Sequence, residues 1–247
     1  MCTLGAVTGR YLFKNRDMSS HVLVKEEVIT GKGIYSYIGI AGTGNQEEAG
    51  LNSGINAKGI AAGVTYVGDG RLEAEITGKK PRGFIVEEIL KNCNNLEQAK
   101  NMAVSFLTDH IYVGGNIVIA SREGIVSIEE YEGRFSAEIQ DSGIFVRANH
   151  FCNLVLPDGS LKHYKESKIR YDTMREYLRT RYGTGLSLEE VKTILKSHDS
   201  EAPICKHKGK ALGVTVSSVI YDLKTRKMYY ARGNPCENEY SILKVPN

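Results

Sequence analysis

Two β-prone runs, Thr3 to Val7 and Tyr11 to Lys14, flank Thr8-Gly9, so the chain opens on a predicted hairpin with Cys2 at its free end. From about Tyr35 to Val67 the apolar positions are broken by Gly39, Gly42, Gly44, Gly50, Gly54, Gly59 and Gly63. A helix would lose too much backbone entropy at that glycine density, which predicts turns and closely packed strands. From Pro81 the apolar spacing becomes helical: Pro81 opens a helix, and Phe84, Ile85, Ile89 and Leu90 fall on one face. Asn95 with Gln98 forms a capping box for a second helix running to about Leu107.

Asn116 to Asn149 returns to alternation, with turn signals at Arg122-Glu123-Gly124, Glu132-Gly133 and Asp141-Ser142-Gly143, and reads as four successive antiparallel strands. After a Pro157-Asp158-Gly159 turn, Lys165 to Arg181 is a helix with Tyr171, Met174 and Leu178 inward, and Ser187 with Glu190 caps another to about Lys196. Val214 to Asp222 and Lys227 to Arg232 are closing strands before the Gly233-Asn234-Pro235 turn. Strands, helix pair, strands, helix pair, strands: this order predicts an α+β fold, a four-layer αββα sandwich of two mainly antiparallel sheets in a single domain over residues 1–247. With helices on both outer faces, many strands are expected to be buried on both sides.

At 247 residues and 41% hydrophobic content the chain is long enough for a sizeable core. Its net charge of +3 is scattered, with no aromatic residues interleaved in a basic stripe, which argues against a nucleic-acid partner. No stretch has membrane-spanning length, and MCTLGAVTGRYLF lacks an export signal's basic start and apolar run. Five widely spaced cysteines, an odd number, fit reduced thiols in a cytoplasm.

Cys2 stands out by position. It follows the initiator Met1 and is small enough for aminopeptidase processing, which would place a free α-amine beside the thiol. The amine titrates near about 7.7–8.0 and the thiol near about 8.5, so one proton passes between them at little cost. One residue then supplies the nucleophile for an amide carbonyl and the base that returns a proton to the departing nitrogen.

The surrounding motifs resemble those of the choloylglycine hydrolase and penicillin acyltransferase group of N-terminal-nucleophile hydrolases. The resemblance covers most of the chain. It begins at Cys2-Thr3 and continues through Phe13-Lys14-Asn15-Arg16-Asp17, similar to the family's Gly-Arg-Asn-x-Asp segment, and Gly54-Ile55-Asn56-Ala57-Lys58-Gly59. Arg147-Ala148-Asn149-His150-Phe151 follows, then Glu166-Ser167, Arg170-Tyr171, His198-Asp199, Ile204-Cys205-Lys206-His207, Thr215-Val216-Ser217-Ser218 and Gly233-Asn234-Pro235-Cys236.

That resemblance implies the N-terminal-nucleophile hydrolase fold and a cysteine amidase acting on a small-molecule N-acyl amide without a cofactor. Cys2 would be the nucleophile, Asp17 the acid that holds the α-amine, and Asn149 an oxyanion donor. A backbone NH near Thr65 would be the second donor, and His150 would line the substrate site. The family's arginine is replaced by Lys14, with Arg16 two positions on and on the same strand face, so either cation could lower the thiol pKa. Acyl transfer to an amine and non-catalytic ligand binding stay open as alternatives, as do self-assembly and the substrate's identity. The loops Thr43 to Asn52, Gly68 to Lys80 and Phe151 to Gly159 are candidates for shaping specificity.

His198, Cys205, His207 and Cys236 are residue types that zinc uses, but Cys-x-His with a distant cysteine is not a recognised ligand spacing, so no metal is expected. Lys79-Lys80 and the run Lys206 to Lys210 read as solvated loops. Gly39 to Gly44 lacks the lysine and hydroxyl of a phosphate loop.

Overall fold

Cys2–Val7 (β1) and Tyr11–Met18 (β2) form the expected hairpin, in a register that sets Cys2 opposite Arg16 and Leu4 opposite Lys14. The second strand runs four residues past the expected Lys14 and so carries Arg16 and Asp17 within the sheet. The computed structural model describes residues 2–18, 25–43, 49–68, 78–156, 165–183, 185–198, 201–209 and 213–246. The Pro157-Asp158-Gly159 turn lies outside them, as do parts of the three candidate specificity loops.

Lys25–Lys32 (β3), Ser36–Thr43 (β4), Leu51–Asn56 (β5), Ala61–Tyr66 (β6), Gly115–Ala120 (β7), Ile125–Tyr131 (β8) and Arg134–Gln140 (β9) make a seven-stranded sheet in sequence order. Ile144–Arg147 (β10), Val214–Asp222 (β11), Lys227–Arg232 (β12) and Ser241–Lys244 (β13) join the hairpin in a six-stranded sheet of order β10-β1-β2-β11-β12-β13. Every pairing between these strands is antiparallel. Four strands do follow Asn116, but the last, β10, leaves its sheet and pairs with β1 in the other one. The edge strands β3 and β13 escape the hydrophobic pattern because one reads Lys-Glu-Glu-Val and the other is only four residues long.

Gly83–Asn92 (α1) and Leu96–Asp109 (α2) cover the seven-stranded sheet, where Ile85, Val86, Ile89 and Leu90 pack on Leu51, Ala62, Ile117 and Ile119. Phe84, expected on that face, is instead 45% exposed. The phase of α1 is fixed by the close approach of Gly83 to Gly50, where a Cβ on Gly83 would lie 2.3 Å from the Ala49 carbonyl oxygen. Lys165–Tyr182 (α3) and Leu188–Leu195 (α4) cover the six-stranded sheet through Met174, Leu178, Val191 and Ile194, against Val7, Phe13, Val146 and Ile220. Between the sheets Leu4, Leu12, Ile38, Ile55, Val118 and Val219 form the central seam. Each such buried side chain contributes about 1.5–3 kcal/mol. The three seams make the expected four-layer αββα sandwich.

The family-like Gly54-Ile55-Asn56-Ala57-Lys58-Gly59 segment is the β5–β6 turn, and its chemistry is structural. Asn56 Oδ1 accepts from the Lys58 and Ile60 NH groups, while Nδ2 donates to the Leu90 and Cys93 carbonyls and so ties the turn to the end of α1. Among the described residues no helix is long and apolar enough to cross a membrane.

Candidate active site

Strand alternation sorts the first hairpin into two faces. Leu4 and Leu12 enter the seam between the sheets, and Cys2, Lys14 and Arg16 share that side; Phe13 packs under the helices, and Thr3, Asn15 and Asp17 share its side. Cys2 therefore sits where the inter-sheet seam ends, only 6% exposed. Its backbone nitrogen donates to Asn149 Oδ1 at 2.8 Å.

Lys14 and Arg16 separate by partner. Arg16 forms an ion pair with Glu26 of β3, whose carboxylate also accepts from Ser217 and Tyr230. Lys14 donates to Asn52 Oδ1 and to the Val64 carbonyl, and its ammonium lies against the Cys2 thiol. Burial pushes that thiol up, but the Lys14 charge, the amino-terminal charge and a hydrogen bond from the Asp17 backbone NH together outweigh it, leaving the pKa below the ordinary thiol value. Burial in turn lowers the Lys14 pKa, opposed by the thiolate.

Asp17 is fully buried, and Thr215 donates to its Oδ1 at 2.8 Å. Burial raises its pKa against the opposing fields of Arg170, Lys206 and the amino terminus. Thr215 is the register partner of Asp17, next to a β-bulge at which the β2–β11 register shifts between Thr215 and Ser217. Lys206, expected in a solvated basic run, is fully buried and pairs with Glu166 at 3.0 Å.

Asn149 receives three interactions that fix its amide. Oδ1 accepts from the Cys2 nitrogen and from Arg170 Nη2 at 2.8 Å, while Nδ2 donates to the Tyr66 carbonyl at 2.6 Å. Two donors on one side and a carbonyl on the other leave a single consistent orientation. Ser167 of α3 accepts from the Asn149 backbone NH and bonds His150 Nδ1, both at 2.7 Å, and the His150 ring meets Tyr171 edge-on. His150 thus braces the Asn149 segment against α3. Thr65 does the same from the other sheet: its hydroxyl donates to the Ala148 carbonyl and accepts from Asn116 Nδ2. Its neighbours Val64 and Tyr66 give their carbonyls to Lys14 and Asn149, so the end of β6 forms one wall beside Cys2.

Two arginines were not singled out for chemistry. Arg170, fully buried, binds Thr3 Oγ1 at 2.9 Å as well as Asn149. It interrupts the buried stripe Ser167, Met174, Leu178 of α3, and a cation on an apolar helix face is the signal that marks it. Arg82 caps the start of α1, where the helix dipole disfavours a cation, and it is 6% exposed. Burial lowers its pKa to about 10, against the fields of Glu130 and Cys2. Its Nε and Nη1 have no hydrogen-bond partner among the described residues.

The four residues set aside as metal ligands on their spacing are brought together by the fold. His198, Cys205, His207 and Cys236 bring one donor atom each to within 4.8 Å of one another.

Solved structures with this fold include a mutant of conjugated bile acid hydrolase from Clostridium perfringens, at TM-score 0.61 and 13% identity, covering 100% of this chain and 97% of that one. Penicillin V acylase from Agrobacterium tumefaciens aligns at TM-score 0.58 and 14% identity, covering 94% of this chain and 83% of that one. A Caenorhabditis elegans N-acylethanolamine-hydrolyzing acid amidase ortholog aligns at TM-score 0.60 and 12% identity, over 90% and 93%. No curated protein matches the sequence. The model of the acyl-coenzyme A:6-aminopenicillanic acid acyl-transferase family matches residues 6–237, from the first strand to just past the Gly233-Asn234-Pro235-Cys236 turn, and the chain belongs to that family.

Proposed function

We propose that the chain is a cysteine amidase that cleaves linear N-acyl amides through a Cys2 acyl-enzyme. The observation that carries this reading is the environment of Cys2: a thiol of lowered pKa against Lys14, with its own nitrogen held 2.8 Å from Asn149 Oδ1. Removal of Met1 makes that nitrogen an amine, which takes the thiol proton. The thiolate attacks the amide carbon, and the carbonyl electron pair moves to oxygen, where Asn149 Nδ2 and a backbone NH near Thr65 stabilise it. Collapse breaks the C–N bond as the α-ammonium protonates the leaving nitrogen, giving a thioester and a free amine. Water then attacks the thioester, the α-amine accepts its proton, and the C–S bond breaks to regenerate thiolate. The relatives' hydrolysis of amides in bile-acid conjugates and penicillin V supports this class of reaction.

Lys14 is the cation that poises the thiol. Lys14→Met should move the acid limb of the kcat/KM profile up by about 1–2 pH units, because thiolate is the active form and burial, unopposed, raises its pKa. At neutral pH the rate should fall about 10–100-fold. Arg16→Met should instead lower Tm, by stripping Glu26 of its partner, and leave the limb nearly in place. Alkylation of Cys2 by iodoacetamide as a function of pH reads the limb directly. Equal limbs in both variants would remove Lys14 from this role.

Arg82 favours N-acyl amino acids within the amide class. Its unmatched NH groups lie within the field of Cys2, as a receptor for a carboxylate would. Arg82→Gln should cut kcat/KM about 10–100-fold for an N-acyl amino acid and far less for the matching N-acyl amine. An equal loss for both substrates would make Arg82 a purely structural residue.

A second reading, transfer of the acyl group to an amine, is favoured by the family's description. Amide formation that competes with hydrolysis when an amine is added would establish it.

A further inference from the structure

We propose that His198, Cys205, His207 and Cys236 form a structural zinc site that clamps the loop before β11 to the Gly233-Asn234-Pro235-Cys236 turn. Two thiols and two imidazoles are a donor set that tetrahedral zinc takes, with Zn–S near about 2.3 Å and Zn–N near about 2.0–2.1 Å. Such a tetrahedron needs S···S and S···N edges of roughly 3.6–3.8 Å. Cys205 Sγ and Cys236 Sγ are 3.5 Å apart, and Cys236 Sγ lies 3.3 Å from His207 Nε2. The donor atoms already converge from three separate stretches of chain.

The surroundings are those of a ligand set and not of a chance cluster. His198 Nδ1 bonds the Cys205 carbonyl at 2.9 Å, which makes Nδ1 the protonated nitrogen and leaves Nε2 its lone pair. His207 Nδ1 faces Glu237 Oε1 at 3.4 Å, the carboxylate–histidine arrangement that orients a ligating ring, with Nε2 toward Cys236. Asn234 Nδ2 donates to Cys205 Sγ at 3.3 Å and to the Lys206 carbonyl at 2.7 Å, so a thiolate there is hydrogen-bonded as well. A disulfide between the two cysteines would use neither imidazole.

The clamp would have a purpose close to the active site. Lys206 lies between two of the ligands; its NH donates to Thr215 Oγ1, its carbonyl accepts from the Thr215 NH, and the Thr215 hydroxyl donates to Asp17. Zinc at this position holds Lys206, whose charge acts on Asp17 and whose backbone pairs with Thr215. The ion itself takes no part in the reaction.

Metal analysis of protein purified in reductant without chelator should give about one zinc per chain, retained in Cys2→Ala and lost in Cys205→Ser and Cys236→Ser. To separate metal loss from misfolding of the cysteine variants, the wild-type protein is also stripped with chelator and titrated with Zn²⁺ alone. Its Tm should then rise by roughly 10 °C, an increase that the partly exposed His207→Ala variant should largely lose. Cobalt(II) in place of zinc should give the visible spectrum of a tetrahedral thiolate site. Metal lost with Cys2 instead, a reduced protein that neither retains nor rebinds zinc, or a Cys205–Cys236 disulfide with Tm indifferent to zinc would each overturn the proposal.

Discussion

Cys2→Ala should lower kcat for amide cleavage by at least about 10⁴-fold while leaving Tm near that of the parent. The size follows from what the residue supplies. Its sulfur is the attacking atom, and the neighbouring Asp17, bonded to Thr215, and Lys14, bonded to Asn52 and Val64, have no sulfur with which to form the thioester. The α-amine survives in the variant, so water activation by that amine sets the residual rate. Small stability changes are expected because alanine removes one buried sulfur at the end of a strand whose packing residues, Leu4 and Ala6, are untouched. Free-amine release and a thermal melt on the same sample check both halves. A well-folded Cys2→Ala protein that cleaves at the parental rate would end the acyl-enzyme mechanism.

Asn149→Ala should cost about 10²–10³-fold in kcat, chiefly through transition-state charge, since removal of one oxyanion donor has that magnitude. The structure gives Asn149 a second task, because its Oδ1 holds the Cys2 nitrogen and the Arg170 guanidinium. Asn149→Asp separates the tasks. The carboxylate keeps the acceptor for the amine and for Arg170 but has no NH to offer an oxyanion, and it faces the Tyr66 carbonyl with a repulsive oxygen. A rate in Asn149→Asp as low as in Asn149→Ala assigns the effect to the donor. Near-full recovery in Asn149→Asp would assign it to holding the amine.

The layer order was legible because the period of the apolar positions switches between two and helical spacing at Pro81, Asn116, Lys165 and Val214, and each switch marks a change of layer. Boundaries and partners were less so. Ile144–Arg147 looks like any fourth strand of a meander, yet the free edge of β1, far away in sequence, captures it. Lys14 and Arg16 were indistinguishable by strand alternation; what separates them is Glu26, on a polar edge strand with little hydrophobic signal. The Cys2, Asp17 and Asn149 positions were readable as motifs, while the exchange of partners was not. The oxygen that accepts from the Cys2 backbone NH belongs to Asn149, and Asp17 turns its backbone NH toward the thiol. Lys206 belongs to a run that reads as solvated, and its burial goes with the Glu166 carboxylate of α3 and the field of Asp17, both distant in sequence. The convergence of the four metal-type donors was not legible in their spacing, because three separate segments bring them together.

The place of β1 between β10 and β2 bears on how the protein matures. In the folded chain Cys2 is only 6% exposed, at the start of a strand flanked on both edges. Yet β1 has only its hairpin partner until Arg147 leaves the ribosome, which at about 5–20 residues per second takes roughly 7–30 s, and an isolated hairpin is marginal in water. The strand order therefore leaves β1 paired on one edge early in synthesis and on both edges only once β10 arrives, so the surroundings of Cys2 are completed late.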